Sequence, residues 1–209
     1  MTENMNDEIE ILYNSKLSDF YKAIENLDDC VTDKTFGPFI PYAFEEYFAA
    51  KRKIMIVGQQ TMGWVPLKDA IKNNYYYKNF IELKEGSTKD FENGKGYYSS
   101  PFWRFATEIN QSLNGSSSSR LAFIWNNLFK IEEDNYYPDS KNLYELTMKY
   151  FNILNEEIDI FKPEIVLMLT GPNYDWYFEK LWNEKYENIQ KTAISTEIEI
   201  RRLAEFGNL

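Results

Sequence analysis

The chain contains no histidine and a single cysteine, Cys30, within its 209 residues. The lack of histidine excludes Ser-His-Asp and Cys-His catalysis, histidine metal sites and the commonest general base. One cysteine allows neither an internal disulfide nor a cysteine cluster for zinc or iron–sulfur, which fits a reducing cytoplasm. We therefore expect no metal and no cofactor, and any chemistry must use carboxylates, amides, hydroxyls, lysine or backbone dipoles.

Long apolar runs and an excess of positive charge are also missing. No apolar stretch approaches the length of about 18 residues that a membrane span needs, and no basic-then-apolar leader opens the chain. We therefore expect a soluble cytoplasmic protein that makes no membrane contact. The formal charge of −10 disfavours, over the whole molecule, nonspecific binding to nucleic acid. The 44% of apolar residues suffices for one domain with a core.

The negative charge is unevenly distributed along the chain. Residues 1–50 carry a net charge of −8, residues 51–130 carry +6 and residues 131–209 carry −8. The basic middle segment is a candidate site for a polyanion on an otherwise acidic protein. Equally, blocks of sequence need not become patches of surface, so both interpretations stay open.

Hydrophobic periodicity predicts helices that alternate with short buried strands. We predict an α/β fold: a three-layer α/β/α sandwich with a short, mostly parallel four-stranded sheet. Residues 1–209 form one domain in this prediction, and residues 1–50 are a helical extension packed on it. The predicted helices cover 7–29, 42–50, 67–83, 101–113, 140–161 and 173–187, and the predicted strands cover 54–58, 121–125, 164–171 and 192–200.

Polar loops follow three of the predicted strands, over residues 58–64, 126–127 and 170–173. In open parallel sheets the ligand crevice lies beyond the carboxyl ends of the strands. The loops are rich in amides, hydroxyls and glycine, and an amide offers a donor and an acceptor together, which suits a nucleobase. Trp64, Phe102 and Trp103 could stack on such a ligand. The alternative is that the amides cap helices and the aromatic rings belong to the core.

Four segments in order resemble the uracil-DNA glycosylase superfamily. Residues 54–60, Ile-Met-Ile-Val-Gly-Gln-Gln, resemble its first motif, a buried strand followed by Gly-Gln-Asp-Pro-Tyr or a variant of it. Residues 101–104, Pro-Phe-Trp-Arg, are similar to the Arg-Phe-Trp-Lys helix start of the mismatch-specific branch. Residues 124–130 resemble the Thr-Asn-Val-Val-Lys segment of the iron–sulfur branch, and residues 161–171 resemble its Lys-Pro turn and following strand. The resemblance covers residues 50–180.

The sequence also departs from that family. Gln60 stands where the family has its water-activating Asp, and Thr61 replaces the proline. An amide can still position water, and the mismatch-specific branch works with Asn there. The family's final His-Pro motif, which stabilises the anionic base, has no counterpart before Leu209. The four cysteines of the iron–sulfur branch are absent, so no cluster is expected.

The resemblance implies a base site and a DNA-binding surface. Gln60 and Asn127 are the implied catalytic residues, Gln60 by orienting water and Asn127 by hydrogen bonding to the base. The implied base-binding residues are Gly58, Gln59, Trp64, Phe102 and Asn127. The implied phosphate contacts, all in the basic segment, are Lys51, Arg52, Lys53, Lys95, Arg104, Arg120 and Lys130.

The expected function is therefore weak hydrolysis of the N-glycosidic bond of a flipped-out uracil, modified or mismatched base in single- or double-stranded DNA. The alternative is an inactive module of the same fold that binds a nucleobase, a nucleic acid or, through its acidic flanks, a protein. A third possibility is an unrelated enzyme that uses the carboxylates of residues 132–134, although a solvated loop is favoured there. The run Tyr75-Tyr76-Tyr77 can stack unpaired bases, but structure is again favoured over function.

Overall fold

The computed structural model describes residues 2–25, 27, 29–60, 66–73, 93, 95–134, 136–174, 176–177, 190–192 and 203–205. In this part of the chain the helices are α1 (Thr2–Ile24), α2 (Asp29–Thr32), α3 (Glu45–Ala49), α4 (Leu67–Asn73), α5 (Pro101–Asn114), α6 (Lys141–Phe151) and α7 (Leu154–Phe161). The strands are β1 (Thr35–Phe36), β2 (Ile54–Gly58), β3 (Ile124–Asn127), β4 (Glu132–Glu133), β5 (Ile165–Met168), β6 (Gln190–Thr192) and β7 (Leu203–Glu205).

A parallel three-stranded sheet in the order β3-β2-β5 lies at the centre of the described structure. All five residues of β2 are buried, as its unbroken apolar sequence predicts for a strand covered on both faces. Gly58 at the end of β2 lies opposite Asn127 at the end of β3. The described structure is therefore a mixed α/β fold built on a parallel sheet.

Helices pack on both faces of this sheet. Met55 and Val57 point into a core that α1, α6 and α7 share, whereas Ile54 and Ile56 pack against Trp103 and the rest of the inner face of α5. Helix α5, which lies between β2 and β3 in sequence, thus packs on one face, and α6 and α7, which lie between β3 and β5, pack on the other. In open parallel sheets with helices on both faces, ligands bind beyond the carboxyl ends of the strands.

The first helix is an integral part of this core. Ile9, Leu17 and Phe20 are buried, as the amphipathic pattern predicts. Asn6 fastens the start of α1, because its side chain exchanges two hydrogen bonds of 2.9 Å with the main chain of Ala43. The N-terminal helix therefore packs on the body of the protein.

Several details differ from the prediction. Strand β3 begins only at Ile124, because residues 120–122 form a short 3-10 helix capped by the hydroxyl of Ser119. The predicted helix 140–161 is two helices, since Asn152 leaves helical geometry and its Oδ1 accepts a hydrogen bond of 2.7 Å from Tyr177. The expectation of a solvated loop at 132–134 is wrong at Glu132, which is fully buried in β4, paired with β1.

Some predicted features lie outside the described residues. These are Trp64, the run of tyrosines at 75–77 and most of the predicted fourth strand, together with the later parts of the predicted helices 67–83 and 173–187. Within the described residues, no helix combines the length and the hydropathy needed to cross a membrane.

Candidate functional site

The loops that follow β2, β3 and β5 meet at the carboxyl edge of the sheet, as the sequence predicts. The main chain of the loop after β3 continues the pairing beyond the sheet, because Leu128 donates to the carbonyl of Gly58 and Phe129 to that of Gln59, each at 2.9 Å. On the other side, the amide of Gln59 donates a hydrogen bond of 2.7 Å to the carbonyl of Thr170. The side chain of Gln59, an implied base-binding residue, thus bridges two strand ends.

Gly58, Phe102 and Asn127 form the tightest contact of this edge. A Cβ atom at Gly58 would lie 2.7 Å from Oδ1 of Asn127 and 3.3 Å from the ring of Phe102. Only glycine therefore lets the amide of Asn127 and the ring of Phe102 approach the end of β2 this closely. Two of the segments that resemble the glycosylase family, residues 54–60 and 124–130, thus meet here. The start of α5 meets them with Phe102, a predicted stacking ring.

The side chain of Asn127 is buried but incompletely paired. It is 2% exposed, and its Nδ2 has no hydrogen-bond partner among the described residues. An unpaired buried donor costs about 1–3 kcal/mol, so such groups in native proteins call for an explanation. At the carboxyl edge of a parallel sheet, the simplest explanation is a ligand that supplies a hydrogen-bond acceptor.

Gln60, the predicted water-orienting residue, is held by a tyrosine that sequence reasoning missed. The hydroxyl of Tyr174 donates a hydrogen bond of 2.8 Å to Oε1 of Gln60. Burial raises the pKa of Tyr174 to about 12, with smaller contributions from Tyr137 and Tyr136. Tyr174 therefore remains a neutral donor over the physiological range and fixes the carboxamide of Gln60.

This raised pKa predicts a loss of stability in alkali. A tyrosine in an unfolded chain titrates near pH 10, so the contribution of Tyr174 is complete below about pH 10 and is lost as the pH rises to about 12. Burial also raises the pKa of Tyr13, Tyr47 and Tyr177. We expect the late part of the rise in tyrosinate absorbance, which comes from the buried tyrosines, to coincide with the loss of circular dichroism in one cooperative transition. Reversible titration of every tyrosine near pH 10 with unchanged circular dichroism would contradict this.

The basic residues do not form one surface. Lys51, Arg52 and Lys53 precede β2 and therefore lie at the amino edge of the sheet, opposite the strand-end loops. There Lys53 donates to three carbonyls at the end of α3 and Arg52 pairs with Glu164. The structure therefore places these three predicted phosphate contacts away from the strand-end loops, because position along the chain does not determine the edge of the sheet.

Two further predicted phosphate contacts also need correction. Arg120, which precedes β3, is at the same amino edge and is 8% exposed. Lys130 is completely buried, and its ammonium group lies 2.8 Å from Glu157, so it cannot reach a phosphate.

Arg104 and Lys95 remain as candidate cations near the site. Helix α5 runs from the carboxyl edge, where Phe102 touches Gly58, to the amino edge, where Oδ1 of Asn114 accepts from the main chain of Arg52. Arg104 is exposed in the first turn of α5, and Lys95 is exposed in the segment that leads into it. Cations at this end could meet a phosphate group beside the strand-end loops.

The chemistry available at this edge is that of amides and hydroxyls. The described strand-end segments 58–60, 126–129 and 169–172 contain no carboxylate. Among the described residues, no group of three or more histidine, cysteine, aspartate or glutamate side chains could hold a metal ion. The arrangement can therefore bind and orient a neutral polar ligand and a water molecule, but it offers no strong general base.

A buried polar cluster behind the site was not predicted. It links Asn126 and Lys130 to Glu157 of α7 and to Tyr13 of α1. One signal was present in the sequence: Glu157 lies between Leu154 and Phe161 on the apolar stripe of its helix, where a carboxylate needs a buried partner.

Comparison with known proteins adds no relative. No model of a protein family matches this sequence, and neither does any curated protein.

Proposed function

We propose that the carboxyl edge of the sheet binds a nucleobase flipped out of DNA and that the protein slowly hydrolyses its N-glycosidic bond. The observation that carries this proposal is the buried Asn127, whose amide nitrogen has no hydrogen-bond partner among the described residues and whose amide oxygen lies beside Gly58. A carboxamide can donate to and accept from one edge of a base. The ring of Phe102 supplies an apolar face beside it.

Different residues of the chain have separate roles in such a reaction. A glycosylase must hold the extruded base, stabilise the leaving base anion and bring water to the anomeric carbon. Asn127 holds the base edge, and Gln60, fixed by Tyr174, positions water without taking its proton. A positioned general base contributes about 10²–10⁴ in rate, and these strand-end segments have no carboxylate. Turnover is therefore slow, and bases that leave easily are the better substrates.

The whole fold in this proposal is a three-layer α/β/α sandwich. Helices on both faces of the sheet support it. In it, residues 192–200, of which Thr192 ends β6, would add a fourth strand to the parallel strands β3, β2 and β5.

A gel assay tests this function. Oligonucleotides that contain uracil, hypoxanthine or a mismatch, both single- and double-stranded, are incubated with excess protein and then treated with alkali, which cleaves at abasic sites. We expect slow cleavage at one class of modified base and none in the matched unmodified oligonucleotide. An absence of product with every base would refute catalysis.

A binding module on the same fold is the second candidate. The amide-only chemistry of the strand ends favours it, because amides recognise a base without activating water. In that case the modified oligonucleotides bind to the protein, as fluorescence anisotropy would show, but stay intact. The acidic segments 1–50 and 131–209 are the candidate contacts if the partner is instead a protein.

Two exposed arginines on opposite edges give a matched test of where DNA lies. Arg104→Gln is expected to weaken DNA binding and to reduce the slope of log affinity against log salt by about 0.7–1, the effect of one lost phosphate contact. Arg52→Gln removes the same charge from the amino edge and should leave the slope unchanged. Equal effects of the two variants would place the DNA elsewhere.

A further inference from the structure

Buried side chains form hydrogen bonds with both polar main-chain groups of Asn127, its N–H and its carbonyl. Its N–H donates to Oδ1 of Asn126 at 2.8 Å, and its carbonyl accepts from Nζ of Lys130 at 2.5 Å. Lys130 also donates to Oδ1 of Asn126, so the same two side chains that hold Asn127 hold each other. The residue that carries the proposed function therefore has a rigid buried support.

Glu157 completes this support from the other side. Its Oε2 accepts from Nδ2 of Asn126 at 2.9 Å and lies 2.8 Å from Nζ of Lys130. Its Oε1 accepts from the hydroxyl of Tyr13 at 2.5 Å. We refer to Tyr13, Asn126, Lys130 and Glu157 as the buried clamp; each of these side chains is completely inaccessible to solvent.

A gain in the free energy of unfolding does not by itself explain such a cluster. A buried ion pair loses the hydration of both charges, and replacement of both partners by apolar residues is often neutral or stabilising. What the clamp does provide is direction, because Asn126 and Lys130 bond to the two polar main-chain groups of Asn127, and Glu157 bonds to both Asn126 and Lys130. A displacement of about 1 Å at a reacting group can cost about 100-fold in rate.

We propose that the buried clamp positions Asn127, so that Lys130 and Glu157 are positioning residues for the bound base. This inference rests on the proposed function of Asn127 and adds to it a role for the N-terminal helix. Through Tyr13, α1 reaches Glu157 from 144 residues away in sequence and so takes part in setting the orientation of Asn127.

The test replaces the ion pair by apolar residues and uses Asn127 as the reporter. The double variant Lys130→Met with Glu157→Leu is compared with Arg52→Met with Glu164→Leu, which removes an exposed ion pair at the opposite edge. The side-chain and main-chain amide signals of Asn127 are recorded by 15N NMR and assigned by their loss in Asn127→Ala. Thermal unfolding and single-turnover excision are measured on the same proteins.

We expect the buried double variant to fold with a melting temperature close to that of the wild type. Its Asn127 signals should shift or broaden, and its maximal excision rate should fall about 10- to 100-fold with little change in half-saturation. The exposed double variant also loses the hydrogen bond from the main chain of Lys53 to Glu164, but it should match the wild type in its Asn127 signals and its excision rate. Unchanged Asn127 signals in a folded buried variant would overturn the inference.

A milder variant covers the case in which the buried double variant does not fold. Tyr13→Phe removes only the hydroxyl, which donates to Glu157 and to the carbonyl of Phe39 and makes no hydrogen bond to Asn127. It should still shift the Asn127 signals, and signals that coincide with those of the wild type would overturn the inference. If the wild type excises no base, the proposed function fails, whereas the NMR comparison still decides the role of the clamp.

Discussion

The Lys130→Met variant is expected to lose about 3–5 kcal/mol of unfolding free energy, the largest effect on stability that we predict. Lys130 lies next to Glu157 in a part of the core with no access to solvent. Removal of one partner of a buried pair leaves the other charge uncompensated, which is far more costly than removal of both. Urea unfolding followed by circular dichroism measures the difference.

An exposed ion pair provides the control for this prediction. Arg52 and Glu164 are about half exposed and 3.4 Å apart, and such surface pairs contribute about 0–1 kcal/mol. Arg52→Met should therefore change the unfolding free energy by less than about 1 kcal/mol. If Lys130→Met costs no more than Arg52→Met, the ion pair is not buried as described.

The Asn127→Ala variant is expected to lower the excision rate by about 100- to 1000-fold and to leave the fold intact. Loss of one positioned hydrogen-bond group of this kind costs about 3–4 kcal/mol of transition-state stabilisation. Because Nδ2 of Asn127 makes no hydrogen bond within the described structure, its removal sacrifices no such bond there. Single-turnover excision and thermal unfolding measured side by side separate the two effects.

Another buried asparagine serves as the matched control. Asn110 of α5 is completely buried and donates to Oγ of Ser118 and to the carbonyl of Ser119 at 3.1 and 2.8 Å, far from the strand-end loops. Asn110→Ala should reduce stability by about 1–3 kcal/mol and keep the excision rate of its folded fraction. An unchanged rate in Asn127→Ala would remove Asn127 from the site.

The central strands and α5 could be predicted because their signals are local. Five consecutive apolar residues ending in Gly58 indicate a strand covered on both faces, and Pro101 in the first turn marks the start of α5. The meeting of the loops after β2, β3 and β5 then follows from parallel pairing alone. The proximity of Gly58 and Asn127 could thus be predicted from the sequence.

The positions of the charged side chains around the site could not be predicted from the sequence in the same way. The net charge of residues 51–130 suggested one basic surface, yet the structure divides its cations between the two edges and the core. Lys130 illustrates the reason: a buried partner on α7 decides its role, and only tertiary packing brings Glu157 within reach. Tyr13 and Tyr174 reach their partners Glu157 and Gln60 across 144 and 114 positions of the sequence.

The absence of histidine can now be related to the residues at the strand ends. The described strand-end segments present amides where a glycosylase would use an acid or a histidine, and the one buried carboxylate behind Asn127 is paired with Lys130. In the proposed function, recognition of a base and its slow excision are therefore separable steps. The recognition step is the claim on which everything else depends.

An NMR titration tests that step directly, using the side-chain amide of Asn127 as the probe. A single-stranded oligonucleotide with one uracil is added to 15N-labelled protein, and an otherwise identical oligonucleotide with a stable abasic analogue at that position is the control. We predict that the Asn127 amide signals shift only with the uracil-containing strand, as an acceptor reaches Nδ2. Identical shifts with both strands, or no shift at Asn127 while Arg104 and Lys95 respond, would contradict recognition of a base at this edge.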